Sequence, residues 1–159
     1  HEPERIERLV LACATGRFLT REAWQERAAT VRAEGTEALA DGVMERWFSA
    51  AFRSRDPATV ARCRAMLAGT PAEGYAGCCE ALAAFDLRPR LGSITAPTLV
   101  VTGELDPVVP PASGETLAES IHGARHVSLP GAAHIANIEQ PAQFTDAVLD
   151  HLTRDTEAA

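Results

Sequence analysis

Two side chains able to share a proton, Asp106 and His134, each follow an apolar run in the second half of the 159-residue chain. Asp106 lies in "TGELDPVVPP" and His134 in "LPGAAH". A carboxylate that contacts an imidazole can hold its tautomer and stabilise the imidazolium, as the acid does in a Ser-His-Asp system. We therefore interpret the two residues as a catalytic pair, although an aspartate before a proline is also common in ordinary surface turns.

The elements around this pair are predicted to be parallel strands and crossover helices. The apolar runs predict strands at 97–102 and 125–130, and the patterns between and after them predict helices at 111–121 and 141–152. Strands and helices that alternate with short connections indicate a parallel sheet with right-handed crossovers. Both loops then follow the carboxyl ends of neighbouring strands, where α/β sheets bind their ligands.

The first half of the chain predicts one more strand and then a helical block. A short buried strand is expected within 6–14, and four helices follow, with N-terminal signals at Thr20, Thr36, Asp56 and the capping box of "TPAE". We assign 1–17 and 87–153 to an α/β core, 18–86 to an inserted four-helix lid, and 154–159 to a frayed tail. The predicted fold class is therefore α/β.

Composition narrows the function. The formal net charge of -7 argues against a nucleic-acid partner. No apolar run approaches the roughly 18 residues of a membrane span, so we expect no membrane partner. The four cysteines, Cys13, Cys63, Cys78 and Cys79, show no metal-ligand spacing. We interpret them as reduced, mostly packing residues of a cytoplasmic protein, and we predict no metal site.

The two loops carry a family resemblance. "APTLVVTGELDPVVPP" followed by "LPGAAHIANIEQPAQFTDAVLDHL" resembles the end of an α/β-hydrolase-fold enzyme, whose acid and histidine follow late strands. Gly103 to Asp106 and Gly131 to His134 match its G-x-x-D and G-x-x-H motifs, and Glu139-Gln140-Pro141 matches the start of its last helix. "HEPERIERLVLACA", "VMERWFSAAFR" and "GYAGCCEALAAFDLRPR" are similar to the 3-oxoadipate enol-lactonases of the β-ketoadipate pathway of aromatic catabolism.

The resemblance implies an activity that this chain carries only in part. Enol-lactonases hydrolyse 3-oxoadipate enol-lactone to 3-oxoadipate without a cofactor, and their nucleophile lies in a G-x-S-x-G elbow. None of the 159 residues forms that motif. The chain therefore resembles the C-terminal part of a hydrolase, with lid, acid and base but no serine, and we predict that it is inactive alone. A missing N-terminal half, or self-association along an exposed sheet edge, is expected to complete it.

The lactone carries a carboxylate, so its site should include a cation. Arg46 can bind a carboxylate and Trp47 can line an apolar pocket, which makes both candidate substrate-binding residues. Trp47 could equally be lid core, and Arg46 could be solvated. Two alternatives stay open for function: another α/β-fold ester or C–C hydrolase, or a non-catalytic binding module that is inactive without its N-terminal half.

Overall fold

The computed structural model of this protein describes residues 2–154, which divide into two compact units. One unit takes in the described residues up to Gly16 and from Arg88 onwards, and the other is Arg17–Leu87. Of the tail predicted at 154–159, only Arg154 is described, and it closes the last helix through its backbone N–H, 3.2 Å from the Asp150 carbonyl oxygen. Residues 155–159 lie outside the described part of the chain.

A parallel sheet forms the centre of the first unit, as predicted. Among the described residues it has three strands in the order β1 (Leu9–Ala12), β2 (Thr98–Gly103) and β3 (Arg125–Leu129). Both pairings are parallel. All six residues of β2 are buried because the strand lies between two others and is covered on both faces.

The helices of this unit bury the two faces of β2. They are α6 (Pro111–Glu119), α7 (Ala136–Glu139) and α8 (Pro141–Thr153). Successive side chains point to opposite faces of a strand. Leu99 and Val101 accordingly share one cluster with Phe144 of α8, while Val100 joins Leu117 of α6 on the other face. This packing holds the carboxyl end of β2 in place.

The second unit is helical throughout its regular elements. Its α-helices are α1 (Arg21–Glu34), α2 (Ala40–Trp47), α3 (Ala50–Arg55), α4 (Pro57–Ala68) and α5 (Ala72–Ala84). Two predicted caps are confirmed, because Thr20 Oγ1 accepts the Ala23 N–H at 3.3 Å and Asp56 Oδ1 accepts the Thr59 N–H at 3.0 Å. None of the helices in the described part of the chain is long and apolar enough to cross a membrane.

The structure corrects the predicted count of four helices in this block. In Arg17–Leu87, every residue of which is described, there are five α-helices, because the helical stretch predicted from Thr36 is interrupted. Phe48 adopts an extended conformation, and the Ser49 hydroxyl accepts the Phe52 N–H at 3.2 Å to start α3. Buried Phe48 stacks on Phe52 at a centroid distance of 5.2 Å, so core packing outweighs helical continuity here.

The predicted capping box is also wrong. The Thr70 hydroxyl donates to the Met66 carbonyl oxygen at 3.0 Å and does not cap α5. The other half of the motif, Glu73, pairs with Arg32 of α1 at 3.1 Å. Both polar groups of the motif therefore have partners outside the first turn of α5, which begins after Pro71 without a side-chain cap.

Candidate active site

Asp106 is held rigidly at the end of β2. The chain turns at Gly103, whose carbonyl oxygen accepts the Asp106 N–H at 3.1 Å. The Asp106 side chain is fully buried, and its Oδ1 accepts the N–H groups of Val108 at 2.7 Å and Val109 at 2.9 Å. These two bonds orient the carboxylate and leave Oδ2 directed at another partner.

That partner is His134, as the sequence predicts. The Nδ1 of His134 lies 2.9 Å from Asp106 Oδ2, a hydrogen-bonding distance. The His134 side chain keeps 19% of its surface exposed, whereas the carboxylate has none. A buried carboxylate bound to Nδ1–H leaves Nε2 as the lone-pair nitrogen of the neutral ring. The pair can therefore accept a proton at Nε2 and stabilise the resulting imidazolium.

Backbone bonds join the two loops directly. The N–H of Leu105 donates to the Ala132 carbonyl oxygen at 2.8 Å, and the N–H of Glu104 donates to that of Leu129 at 3.0 Å. The Glu104 carboxylate in turn accepts the Gly131 N–H at 2.9 Å. These hydrogen bonds hold the His134 loop against the Asp106 loop independently of the contact between the Asp106 and His134 side chains.

The Glu139 side chain forms a hydrogen bond with the backbone of the loop that carries His134. It is one of the few buried carboxylates, only 2% exposed, and its Oε1 accepts the Ala133 N–H at 3.0 Å. Gln140 adds a bond from Nε2 to the Pro130 carbonyl oxygen at 3.1 Å. The sequence singled out this pair only as part of a family pattern. The structure assigns both residues to the support of the loop that carries His134.

Cys13 is the residue of this site that sequence reasoning missed. It follows β1 directly, its φ is +45°, and its N–H donates to the Val101 carbonyl oxygen at 2.8 Å. Burial, and then the charge of Asp106, raise the pKa of the Cys13 thiol to about 11. The available signal was its place after the first parallel strand, at the edge where Asp106 and His134 also lie.

Three potential ligand atoms meet at this point. One ligand atom from each of Cys13, Asp106 and His134 lies within 4.8 Å of the other two. The four cysteines are free thiols, as predicted. The prediction that Cys13 only packs is incomplete, because it belongs both to the apolar cluster under β2 and to this polar group.

Arg46 and Trp47 lie in the helical unit, in the last turn of α2. Arg46 is exposed and Trp47 is half-buried. Neighbouring Arg53 has a structural task, because its Nη1 donates to the carbonyl oxygens of Phe48 at 2.6 Å and Glu45 at 3.0 Å. The substrate role of Arg46 and Trp47 stays a prediction.

Comparison with known proteins defines the class. A sequence profile of the alpha/beta hydrolase fold matches residues 1–141, and the chain belongs to that family. It is 42% identical over 149 residues to 3-oxoadipate enol-lactonase 2 of Acinetobacter baylyi, covering 93% of this chain and 55% of the relative. It is also 32% identical to the pimeloyl-[acyl-carrier protein] methyl ester esterase of Aeromonas hydrophila, over 94% of this chain and 61% of that protein.

A solved structure gives the same result. The enol-lactonase from Burkholderia xenovorans superimposes with a TM-score of 0.92 at 45% identity, covering 95% of this chain and 58% of that one. The resemblance to enol-lactonases is therefore confirmed, and so is the α/β-hydrolase fold. The chain spans a little over half the length of these relatives.

Proposed function

We propose that this chain supplies the general base and its orienting acid to a hydrolase that opens 3-oxoadipate enol-lactone to 3-oxoadipate. The observation that carries the proposal is the 2.9 Å contact between His134 Nδ1 and the buried Asp106 carboxylate. The enol-lactonase relatives, at 42% and 45% identity, support the choice of substrate. The β-ketoadipate pathway and a cytoplasmic location stay predictions.

The proposed mechanism divides the reaction into two steps. His134 Nε2 takes the proton of a serine hydroxyl while the serine oxygen attacks the lactone carbonyl, and the ring then returns that proton to the departing enol oxygen. In the second step Nε2 takes a proton from the water that attacks the acyl-serine, and the imidazolium then gives this proton to the departing serine oxygen as the acid is released. Asp106 stabilises the imidazolium in both steps and stays ionised.

The serine comes from outside these residues in this proposal. The 159 residues contain no G-x-S-x-G elbow, so we expect the chain alone to be inactive. The edge of β1 is the place where a complementing segment would pair. The N–H groups of Leu9 and Cys13 face β2, so those of Val10 and Ala12 face the opposite side of this parallel strand. An N-terminal half, or a second copy of this chain, would bind there.

Substrate recognition rests on the lid in this proposal. The lactone carries a carboxylate, and a guanidinium can bind it through two hydrogen bonds. Arg46 is exposed, which leaves its charge open to a ligand, and Trp47 offers a partly exposed ring beside it. We expect Arg46→Ala to raise KM for the enol-lactone and to leave kcat nearly unchanged, because it removes binding common to the ground and transition states.

Reconstitution tests the proposal. The chain is mixed with the N-terminal half of the 45%-identical Burkholderia xenovorans enol-lactonase, which in this proposal stands in for the missing half, and lactone opening is followed by absorbance. Activity is expected in the mixture but in neither part. It should disappear with His134→Ala and persist with the control His122→Ala, since His122 is exposed. Activity that survives His134→Ala would overturn the assignment of the base.

Association without activity would favour the binding module instead. Gel filtration of the same mixtures separates the cases, because a stable complex that turns over no substrate excludes the hydrolase proposal. If the chain is a compact monomer that unfolds cooperatively and does not bind the N-terminal half, the proposed pairing at the edge of β1 is excluded.

A second candidate substrate class has its own support. The 32% identity to a methyl ester esterase over 94% of the chain favours a simple ester as the alternative. A panel of enol-lactone, methyl esters and a C–C hydrolase substrate, assayed on the reconstituted protein, separates these. The kcat/KM for the enol-lactone should exceed that for the esters if the first proposal is correct.

A further inference from the structure

We infer that Cys13, Asp106 and His134 form a binding site for a thiophilic divalent cation, with Zn²⁺ as the expected ion. One potential ligand atom from each residue lies within 4.8 Å of the other two. Thiolate, carboxylate and imidazole are three ligand types that Zn²⁺ accepts, and sites with three protein ligands keep a fourth position for water. The site lies within one unit and uses no residue of the helical block.

The three ligand atoms are near enough to hold one ion if their separations adjust on binding. Zinc bond lengths place ligand atoms roughly 3.4 to 3.6 Å apart in a tetrahedron. The Nδ1–Oδ2 distance of 2.9 Å must open by several tenths of an ångström. Cys13 Sγ lies within 4.8 Å of one ligand atom of each of the other two residues and must approach them to complete the tetrahedron. The backbone holds Cys13 in this place, through its positive φ and its bond to Val101.

Charge balance favours a divalent ion here. Bound to the metal, Cys13 is a thiolate and Asp106 a carboxylate, and together with a neutral His134 they bring the buried cluster to zero net charge. Burial of an unbalanced ion is costly, so this neutrality matters. On binding, the thiol proton leaves to solvent, and the proton on Nδ1 moves to Nε2, so that the ring stays neutral and Nδ1 takes the metal.

Occupation would block the base. With the metal on Nδ1 and the proton on Nε2, His134 has no lone pair with which to take the serine proton. We therefore expect Zn²⁺ to inhibit the hydrolase, a consequence that rests on the proposed function. Binding itself does not rest on it, because binding is measured on this chain without a substrate.

Cobalt titration tests the site. Co²⁺ replaces Zn²⁺ as a spectroscopic probe, and a thiolate ligand gives an intense charge-transfer band in the near ultraviolet. The chain is expected to bind one Co²⁺ with this band. Cys13→Ser should remove the band and weaken binding at least about tenfold, a loss typical of damaged metal sites. Cys78→Ser is the matched control, because Cys78 is an exposed thiol, and it should keep both.

Two further measurements test the site even if the Cys13→Ser variant fails to fold. His134→Ala keeps the thiol and should also weaken Co²⁺ binding at least about tenfold. In the unaltered chain, Zn²⁺ should shift the ring nitrogen resonances of His134 and move its proton to Nε2, while those of exposed His122 stay in place.

Three results would overturn the inference: no thiolate band at saturating Co²⁺, a band that survives Cys13→Ser, or a band that is lost with Cys78→Ser. A different result would count against the proposed function alone. If Zn²⁺ fills the site and the reconstituted protein still hydrolyses the lactone, His134 is not the base.

Discussion

Gly103 lies so close to the histidine loop that a β-carbon on it would come within 2.2 Å of the Ala133 carbonyl oxygen. The carbonyl oxygen of Ala132 would be 2.5 Å away. Backbone atoms cannot move aside as a side-chain tip can, so only glycine allows the two loops to approach this closely. The contact between Asp106 and His134 therefore depends on the absence of a side chain three residues before Asp106.

Gly103→Ala should separate the loops. We expect it to lower the free energy of unfolding by about 3 kcal/mol, since the added methyl group overpacks a backbone contact. Urea denaturation measures the loss. Gly92→Ala is the control from the same unit, because a β-carbon at Gly92 meets nothing within 4 Å. Equal stability of the two variants would contradict the close approach.

Asp106→Asn should preserve the loop and disable the base. The Asn Oδ1 can still accept the N–H groups of Val108 and Val109, but its NH₂ cannot accept the Nδ1–H of His134. We expect activity of the reconstituted protein to fall about a thousandfold or more, with stability changed by less than about 1 kcal/mol. Asp146→Asn, an exposed change on α8, is the control for kcat. If the activity of Asp106→Asn falls mainly because KM rises, and kcat is little changed, Asp106 does not orient the base.

Glu139→Ala should loosen the histidine loop. It leaves the buried N–H of Ala133 without its acceptor, which costs about 1 to 3 kcal/mol. Glu139→Gln keeps an acceptor oxygen and should lose less. Hydrogen exchange at the Ala133 amide, together with urea denaturation, measures both effects. Unchanged protection of that amide in the alanine variant would exclude the support role.

His151 should make stability depend on pH. It is buried on α8, and burial lowers its pKa from the ordinary 6.5, against a smaller opposing hydrogen bond to the backbone of Pro97. The unfolded chain then binds a proton more readily than the folded chain, so its contribution is complete above pH 6.5 and is lost as pH falls through the lowered pKa.

The change His151→Gln tests this. Urea denaturation between about pH 7 and pH 5, where histidine titrates, should show a shallower loss of stability than in the unaltered chain. His122→Gln, at an exposed position, should follow the unaltered chain. Parallel curves for all three proteins would show that His151 does not cause the slope.

Local patterns were enough to predict the sheet and the contact across it. The apolar run of β2 is buried in all six residues, and parallel neighbours bring their following loops to one edge, so Asp106 and His134 could be paired from sequence. The break at Phe48 could not be predicted this way. It depends on a ring that packs against Phe52, and no local propensity encodes that partner.

The support of the site was equally beyond local reasoning. Glu139 is charged, and its side chain is buried where it accepts an N–H from the histidine loop, a long-range role that its residue type does not reveal. Cys13 looked like an ordinary packing residue because its polar neighbours, Asp106 and His134, come from loops far along the chain. Local sequence patterns cannot predict the role of a residue when that role depends on partners far along the chain.

The bonds that join the two loops all arise within one uninterrupted stretch, from Gly103 to Gln140. On the proposed function, a hydrolase divided ahead of β1 would keep its acid and base bonded within one fragment and would be inactive until the other fragment binds. Turnover would then signal that the two fragments had met. The bonds between the two loops would suit this fold to a split reporter, because one fragment already holds the contact between Asp106 and His134.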